Sequence, residues 1–395
     1  MLPETGWRRL ASPAAGRHDA RMNVSTLRTV PIGLATLVLT LALTACGGGG
    51  GGGFNSSSGG SSSSGGSSSS SSGGSSSSSS SGGPPTTAQR IAAADTTAAS
   101  ATNGCHGITP FYWEVGSATA MLTGRTEPAS ATSPLASTPL ALLSASKWLF
   151  SAFVVQQRGG FGNLSQDDRR ALTMSSGYVN MTNGSCLASQ TVAECDSNAN
   201  GSLVAGEVDH FHYNSGHFQH LGATASPSLG IEADGTAALK TAMDAYLVGG
   251  LTYSWDTPEL AGGAVDSAED YARFLREILD GTLKMKDALG QAKVATNDTA
   301  TSANSIPGDP FASETVHYSL GHWVEDDPSG AGDGAYSSPG FYGFYPWIYI
   351  DPANAANAWY GIVAREVNTG NANAFRDSIV CGRLIRRAWL TGVAQ

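Results

Sequence analysis

Hydrophobic and polar positions along this chain change period several times, and each change marks an element. Phe111–Val115 and Thr119–Leu122 are short apolar, aromatic or β-prone runs on either side of Gly116-Ser117. They predict a hairpin with glycine in its turn. Ser144–Gln157 predicts a helix, with Trp148, Phe150 and Val154 among its apolar residues. Thr236–Leu247 and Ser267–Leu279 read as amphipathic helices, the second opening on Ser267-Ala268-Glu269-Asp270, a capping-box pattern. Val316–Val324, Tyr345–Asp351 and Trp359–Ala364 read as strands, and Ala372–Leu390 as a closing helix. Strands first, helices in the middle, then strands and a helix is an α+β order. The first and last strands are expected to share one sheet, which would bring Cys105 towards Cys381.

The chain ahead of these elements has another character. Arg21 and Arg28 precede an apolar run, Ile32–Ala45, of 14 residues, too short to span a bilayer. It ends in Leu43-Thr44-Ala45 before Cys46, which resembles a bacterial lipoprotein signal. Residues 1–46 therefore read as an N-terminal extension and signal, with Met22 as the expected start and Cys46 as the lipidated residue. Leu2-Pro3-Glu4-Thr5-Gly6 matches a sortase signal, but at the wrong end of a chain. Residues 47–87 are mostly Gly and Ser and cannot bury apolar area, so they read as a flexible tether. A coil of about 40 such residues reaches roughly 35 Å root-mean-square. Residues 88–395 then form one folded domain, exported and held to a bacterial membrane only through its lipid.

Charge narrows the function. The chain carries a formal −10, and the acidic excess lies beyond residue 46. With no basic run, nucleic acid is a poor partner. Export also bears on the cysteines, since an oxidising compartment favours bridges. Cys186 and Cys195 are nine apart in an expected loop, the shortest closure, which leaves Cys105 for Cys381.

Ser144-Ala145-Ser146-Lys147 places a hydroxyl and an amine at i and i+3, on one helix face, with Ser144 expected in the first helical turn. Burial and the helix dipole both favour a neutral lysine able to take the serine's proton. Serine is common here, so the pair alone is a weak signal. The order of the later motifs is more specific: Leu172-Thr173-Met174-Ser175-Ser176-Gly177-Tyr178, then Phe211-His212-Tyr213-Asn214-Ser215-Gly216. Leu260-Ala261-Gly262-Gly263 leads into Asp270-Tyr271-Ala272-Arg273-Phe274-Leu275, and Tyr318-Ser319-Leu320-Gly321-His322-Trp323 and Ser338-Pro339-Gly340 close the series. Over most of residues 105–390 this set resembles the serine β-lactamase and penicillin-binding-protein family, in its class C and esterase-like branch.

The resemblance implies an antiparallel sheet flanked by helices, with a helical subdomain, and a serine hydrolase that needs no cofactor or metal. Ser144 matches the nucleophile, Lys147 its partner, and Tyr213 the residue that shuttles the proton to the leaving group. Ser215 stands where the family usually has Asn, and Ser338-Pro339-Gly340 where it has Lys-Thr-Gly or His-x-Gly. Those residues would contact substrate, and the N–H groups of Ser144 and Phe341 would form the oxyanion hole. Losing the cation of that last motif favours a small ester or amide over a penicillin. The alternatives are β-lactamase or D-alanyl-D-alanine carboxypeptidase activity, or a non-catalytic binding module on the same fold.

Two other constellations compete. His210, His212, His217 and His220 are four of the eight histidines and could hold zinc, although no HExxH pattern accompanies them. Asp196-Ser197-Asn198-Ala199-Asn200-Gly201-Ser202 with Glu207 fits a calcium-loop template, where any role would be structural. No GxSxG elbow or nucleotide loop occurs in the folded part.

Overall fold

The computed structural model describes residues 83–129, 134–182, 184–247, 249–297, 311, 314–328, 332–365 and 374–395. Cys46, the signal and nearly all of the tether lie outside them. The described part belongs to one compact unit. It opens with α1 (Thr87–Ala98), which the pattern of the sequence did not suggest. Thr86 caps this helix in a reciprocal box with Gln89. The hairpin follows as β1 (Phe111–Gly116) and β2 (Met121–Glu127), its second strand starting two residues later than expected.

A short β3 (Leu140–Ala141) leads to α2 (Ser146–Gln157), buried on nearly every side, as an apolar helix at the centre of a domain must be. Next come α3 (Gln166–Leu172), α4 (Val192–Ala199), α5 (Gly216–Thr224) and α6 (Thr236–Asp244), the helical region. Ser165 and Thr191 each open a helix with a complete capping box. β4 (Ser254–Trp255) and β5 (Ala264–Asp266) join β3 in a three-stranded sheet. α7 (Ala268–Asp280) is capped by the Ser267 hydroxyl, but only half of the expected box forms. Asp270 instead accepts from the Thr252 N–H and from Arg273.

After α8 (Met285–Ala288) the chain runs β6 (Val294–Ala295), β7 (His317–Tyr318), β8 (Trp323–Glu325), β9 (Ala335–Ser337), β10 (Tyr345–Ile350), β11 (Ala358–Ala364) and α9 (Ala374–Thr391). The single strand expected over Val316–Val324 is in fact the hairpin β7–β8. Its turn closes with the Ser319 N–H on the His322 carbonyl at 2.8 Å, and Gly321 takes φ +76°. A strand cannot continue through that conformation.

The large sheet has eight strands in the order β2-β1-β11-β10-β9-β8-β7-β6, paired antiparallel throughout. First and last strands are neighbours, with Trp113 opposite Val363. Alternate side chains of β11 point to opposite faces. Tyr360 meets Arg276 of α7, while Trp359 packs edge-on to Trp389 of α9. Helices α7 and α9 therefore cover opposite faces, and Trp148 of α2 packs on Phe274 of α7. Disulfides join Cys105 to Cys381 and Cys186 to Cys195.

Candidate active site

The segment Leu142–Ser146 lies where α2 meets both sheets, and four of its five residues are tied to their surroundings. The Leu142 N–H donates to the Ala264 carbonyl at 2.9 Å, and the Ser146 hydroxyl accepts from the Ala264 N–H at 3.1 Å. The Ser338 hydroxyl donates to the Ser144 carbonyl at 3.1 Å, and the buried Tyr271 hydroxyl to the Ala145 carbonyl at 2.9 Å. These ties hold Leu143 at φ +48°, a left-handed conformation that costs a non-glycine residue roughly 1–2 kcal/mol. Strain of this kind persists only where the surroundings over-determine it, and here it sits beside the expected nucleophile. Ser144 is accordingly in a 3₁₀ turn, Leu143–Ala145, just before α2 and not inside its first turn as expected.

Lys147 lies one turn along α2. Its Nζ is 3.2 Å from Ser144 Oγ and 2.9 Å from the Ala261 carbonyl oxygen. Burial pushes this amine down from 10.5 to about 7, with the Glu259 carboxylate pulling it back up. At neutral pH a sizeable fraction is uncharged, and the Ser144 O–H can then donate along the same 3.2 Å line. The Tyr213 ring lies over the amine, its centroid 4.8 Å from Nζ. That ring stacks on Trp323 at 5.3 Å and meets the edge of Tyr318 at 5.7 Å, so β7–β8 fixes its plane. Behind it, His217 is fully buried and pushed down to about 3 by that burial. Its Nδ1 accepts from the Ser176 N–H at 3.2 Å, which leaves Nε2–H to donate to the His212 carbonyl at 2.7 Å.

Gly321 allows the β7–β8 turn to touch α2: a Cβ there would lie 2.0 Å from Ser151 Oγ and 2.7 Å from the Lys147 carbonyl. Gly340 does the same for the opposite wall, where a Cβ would lie 2.1 Å from the Leu142 carbonyl.

The structure thus brings Ser144, Lys147 and Tyr213 together. It gives two other residues roles that differ from those the resemblance implies. The Ser338 hydroxyl bonds to the carbonyls of Ser144 and Gly321, and the Ser215 hydroxyl donates to Glu259 Oε1 at 2.9 Å. Both serines are buried and brace the site from behind. The Gly340 N–H is used by the Phe344 carbonyl at 2.7 Å. Phe341 itself is 40 % exposed and packs on Phe375. Ala261 and Tyr271 stood in the motif series without a role, and Glu259 and the strained Leu143 were missed in sequence. Only the glycine pair after Ala261 hinted that a backbone there comes close to something.

The competing constellations take other shapes. His220 faces Asp196 at 3.1 Å and stacks on Tyr178, His212 lies 3.7 Å from Glu207, and His217 is engaged as above. Among the described residues no three His, Cys, Asp or Glu side chains converge as a metal site. Asp196 and Asn198 lie inside α4, so the calcium-loop template is not formed; Asp196 Oδ1 instead accepts from the Asn200 amide at 2.9 Å.

Known structures agree with this architecture. A candidate β-lactamase from Bacteroides dorei DSM 17855 superposes with a TM-score of 0.52 at 18 % identity, over 71 % of this chain and 93 % of that one. The fold is that of the serine β-lactamases and penicillin-binding proteins. Weaker likenesses include a β-lactamase/D-alanine carboxypeptidase from Yersinia pestis (TM-score 0.49, 12 % identity, 76 % of this chain and 100 % of that one). Another is a D-stereospecific amidohydrolase from Streptomyces sp. (TM-score 0.46, 13 % identity, 78 % and 100 %). No family profile and no curated protein sequence matches the chain.

Proposed function

We propose that this protein is a serine hydrolase that forms an acyl-enzyme on Ser144 from a small ester or amide. One observation carries the reading: a buried lysine, pushed down to about 7, lies 3.2 Å from a serine hydroxyl at the mouth of a strained turn. Neutral Lys147 takes the Ser144 proton as Oγ attacks the carbonyl carbon. The Tyr213 hydroxyl passes a proton to the departing oxygen or nitrogen, and the N–H groups of Ser144 and Phe341 receive the developing oxyanion. Water then attacks the acyl group by the reverse route, which restores Ser144.

Ser338-Pro339-Gly340 offers no side-chain cation, which favours a substrate without a carboxylate to be held. Labelling with a serine-reactive fluorophosphonate, followed by peptide mapping, should find the label on Ser144. Ser144→Ala should abolish labelling and turnover with its thermal midpoint nearly unchanged; a folded variant that still turns over would refute the reading. A chromogenic cephalosporin assayed beside p-nitrophenyl acetate tests ester preference against the β-lactamase alternative.

The same proposal has the domain exported and held to a membrane through lipid on Cys46. Two disulfides in one domain support an oxidising compartment. Mass spectrometry of the membrane fraction should find Cys46 acylated at a new N-terminus.

A further inference from the structure

Glu259 is buried, and both its carboxylate oxygens and its carbonyl are engaged. Oε1 accepts from the Ser215 hydroxyl at 2.9 Å and Oε2 from the Gly184 N–H at 2.7 Å. Its own carbonyl accepts from the Gly262 and Gly263 N–H groups at 3.0 and 2.7 Å, closing a turn. That turn directs the Ala261 carbonyl at Lys147 Nζ, 2.9 Å away. One residue thus links the loop that carries Tyr213 to the peptide that holds the lysine. Its carboxylate also favours the charged form of Lys147. The other groups facing Lys147 are Ser144, the ring of Tyr213 backed by Tyr318, and His217 from α5, which burial keeps neutral.

Resting on the hydrolase reading, we propose that Glu259 is a positioning residue. Its carboxylate pins the Tyr213–Ser215 loop to the Ala261 turn, and its negative charge sets the pH at which Lys147 becomes a base. A carboxylate favours the ammonium, so removing its charge makes the lysine neutral at lower pH.

Glu259→Gln keeps the shape and an acceptor for Ser215. The acid limb of the fluorophosphonate labelling rate on Ser144 should move down by about one pH unit. The ¹³Cε signal of Lys147, one of five lysines and identified by its loss in Lys147→Met, should titrate lower in step. Ser215→Ala leaves the charge in place: its maximal rate should fall while its midpoint stays. A folded Glu259→Gln with an unmoved limb and an unmoved lysine signal overturns the proposal. Should that variant not fold, Glu259→Asp keeps the charge but withdraws it from Ser215. It should lose rate at an unchanged midpoint, and wild-type rate would overturn the positioning role. If Ser144 is never labelled, the hydrolase reading falls, whereas the lysine titration still decides this inference.

Discussion

Two buried cations of this domain are held in opposite ways. Arg386 is fully enclosed, donating to Glu325 at 2.7 Å, Asp333 at 2.6 Å and the Tyr345 hydroxyl at 2.7 Å. Arg383 completes the cluster through Glu325 and both oxygens of Glu314. Burial pushes the Glu325 carboxyl up, but Arg386 and Arg383, with the Ser337 and Tyr345 hydroxyls, outweigh it and hold it at about 2. Lys147 is 3 % exposed, yet its direct partners are one hydroxyl, one carbonyl and the Tyr213 ring, and the Glu259 carboxylate makes no direct contact with it. A buried cation matched by anions stays charged and serves structure. One that is under-matched is poised to lose its proton and can serve chemistry.

The sharpest way to break this contrast is to delete each cation's function. Lys147→Met should lower kcat/KM for an activated ester by on the order of 10³–10⁴. Its stability at pH 7 should be equal to or above that of the native protein, because the methionine needs no partner. The native amine titrates near 7 folded and 10.5 unfolded, so between those values the unfolded chain binds the extra proton. Native stability should therefore rise with pH across that window by on the order of 4 kcal/mol relative to Lys147→Met. Urea unfolding at pH 7 and pH 10 measures both.

Glu325→Ala should show the reverse pattern. Stripping the shared anion from two buried guanidinium groups should cost about 3–5 kcal/mol in urea, with any surviving folded protein still labelled on Ser144. Because the Glu325 carboxyl is lowered from 4.5 to about 2, its contribution should be intact above pH 4.5 and lost as pH falls towards 2. A native protein whose acid unfolding is unchanged by Glu325→Gln would contradict this.

Tyr213→Phe keeps the ring over the amine and the stack on Trp323, so it should fold normally and lose about 10²-fold in kcat. EDTA should leave the native rate largely intact; were EDTA to abolish activity at once and zinc to restore it, the histidines would be the site instead. The smallest effect expected is that of Tyr271→Phe. It removes one buried hydrogen bond to the Ala145 carbonyl, at about 1 kcal/mol, and loosens the turn that carries Ser144, so kcat should fall more than KM changes.

Much of this was legible in the chain. The Ser144/Lys147 spacing, the later Tyr213 and the order of strands and helices pointed to one fold. What defines the elements locally, such as the Ser267 cap, could be read from neighbours in sequence, whereas Gly116, expected in the hairpin turn, is the last residue of β1, where a Cβ would lie 2.4 Å from the Tyr360 ring. Gly321 could have split the expected Val316–Val324 strand, and the caps at Ser165 and Thr191 could have announced α3 and α4. Glu259 was not legible, nor was what Ala261 and Tyr271 do within their motifs, since each acts on a residue more than 40 positions away through a carbonyl, a carboxylate or a single hydroxyl. Contacts of that kind leave no periodicity behind.

The Cys105–Cys381 bridge has a mechanical meaning. Its two cysteines enclose every described strand, and α1 and the end of α9 are clasped as well, with Arg90 donating to the Trp389 and Leu390 carbonyls. Tension applied between the two ends of the chain takes the shortest covalent path. That path runs through the residues before Cys105, across the sulfurs, and out through the 14 residues after Cys381. Such tension would peel α1 and the last turns of α9 and then stop, with the sheet and the Ser144 turn carrying no load.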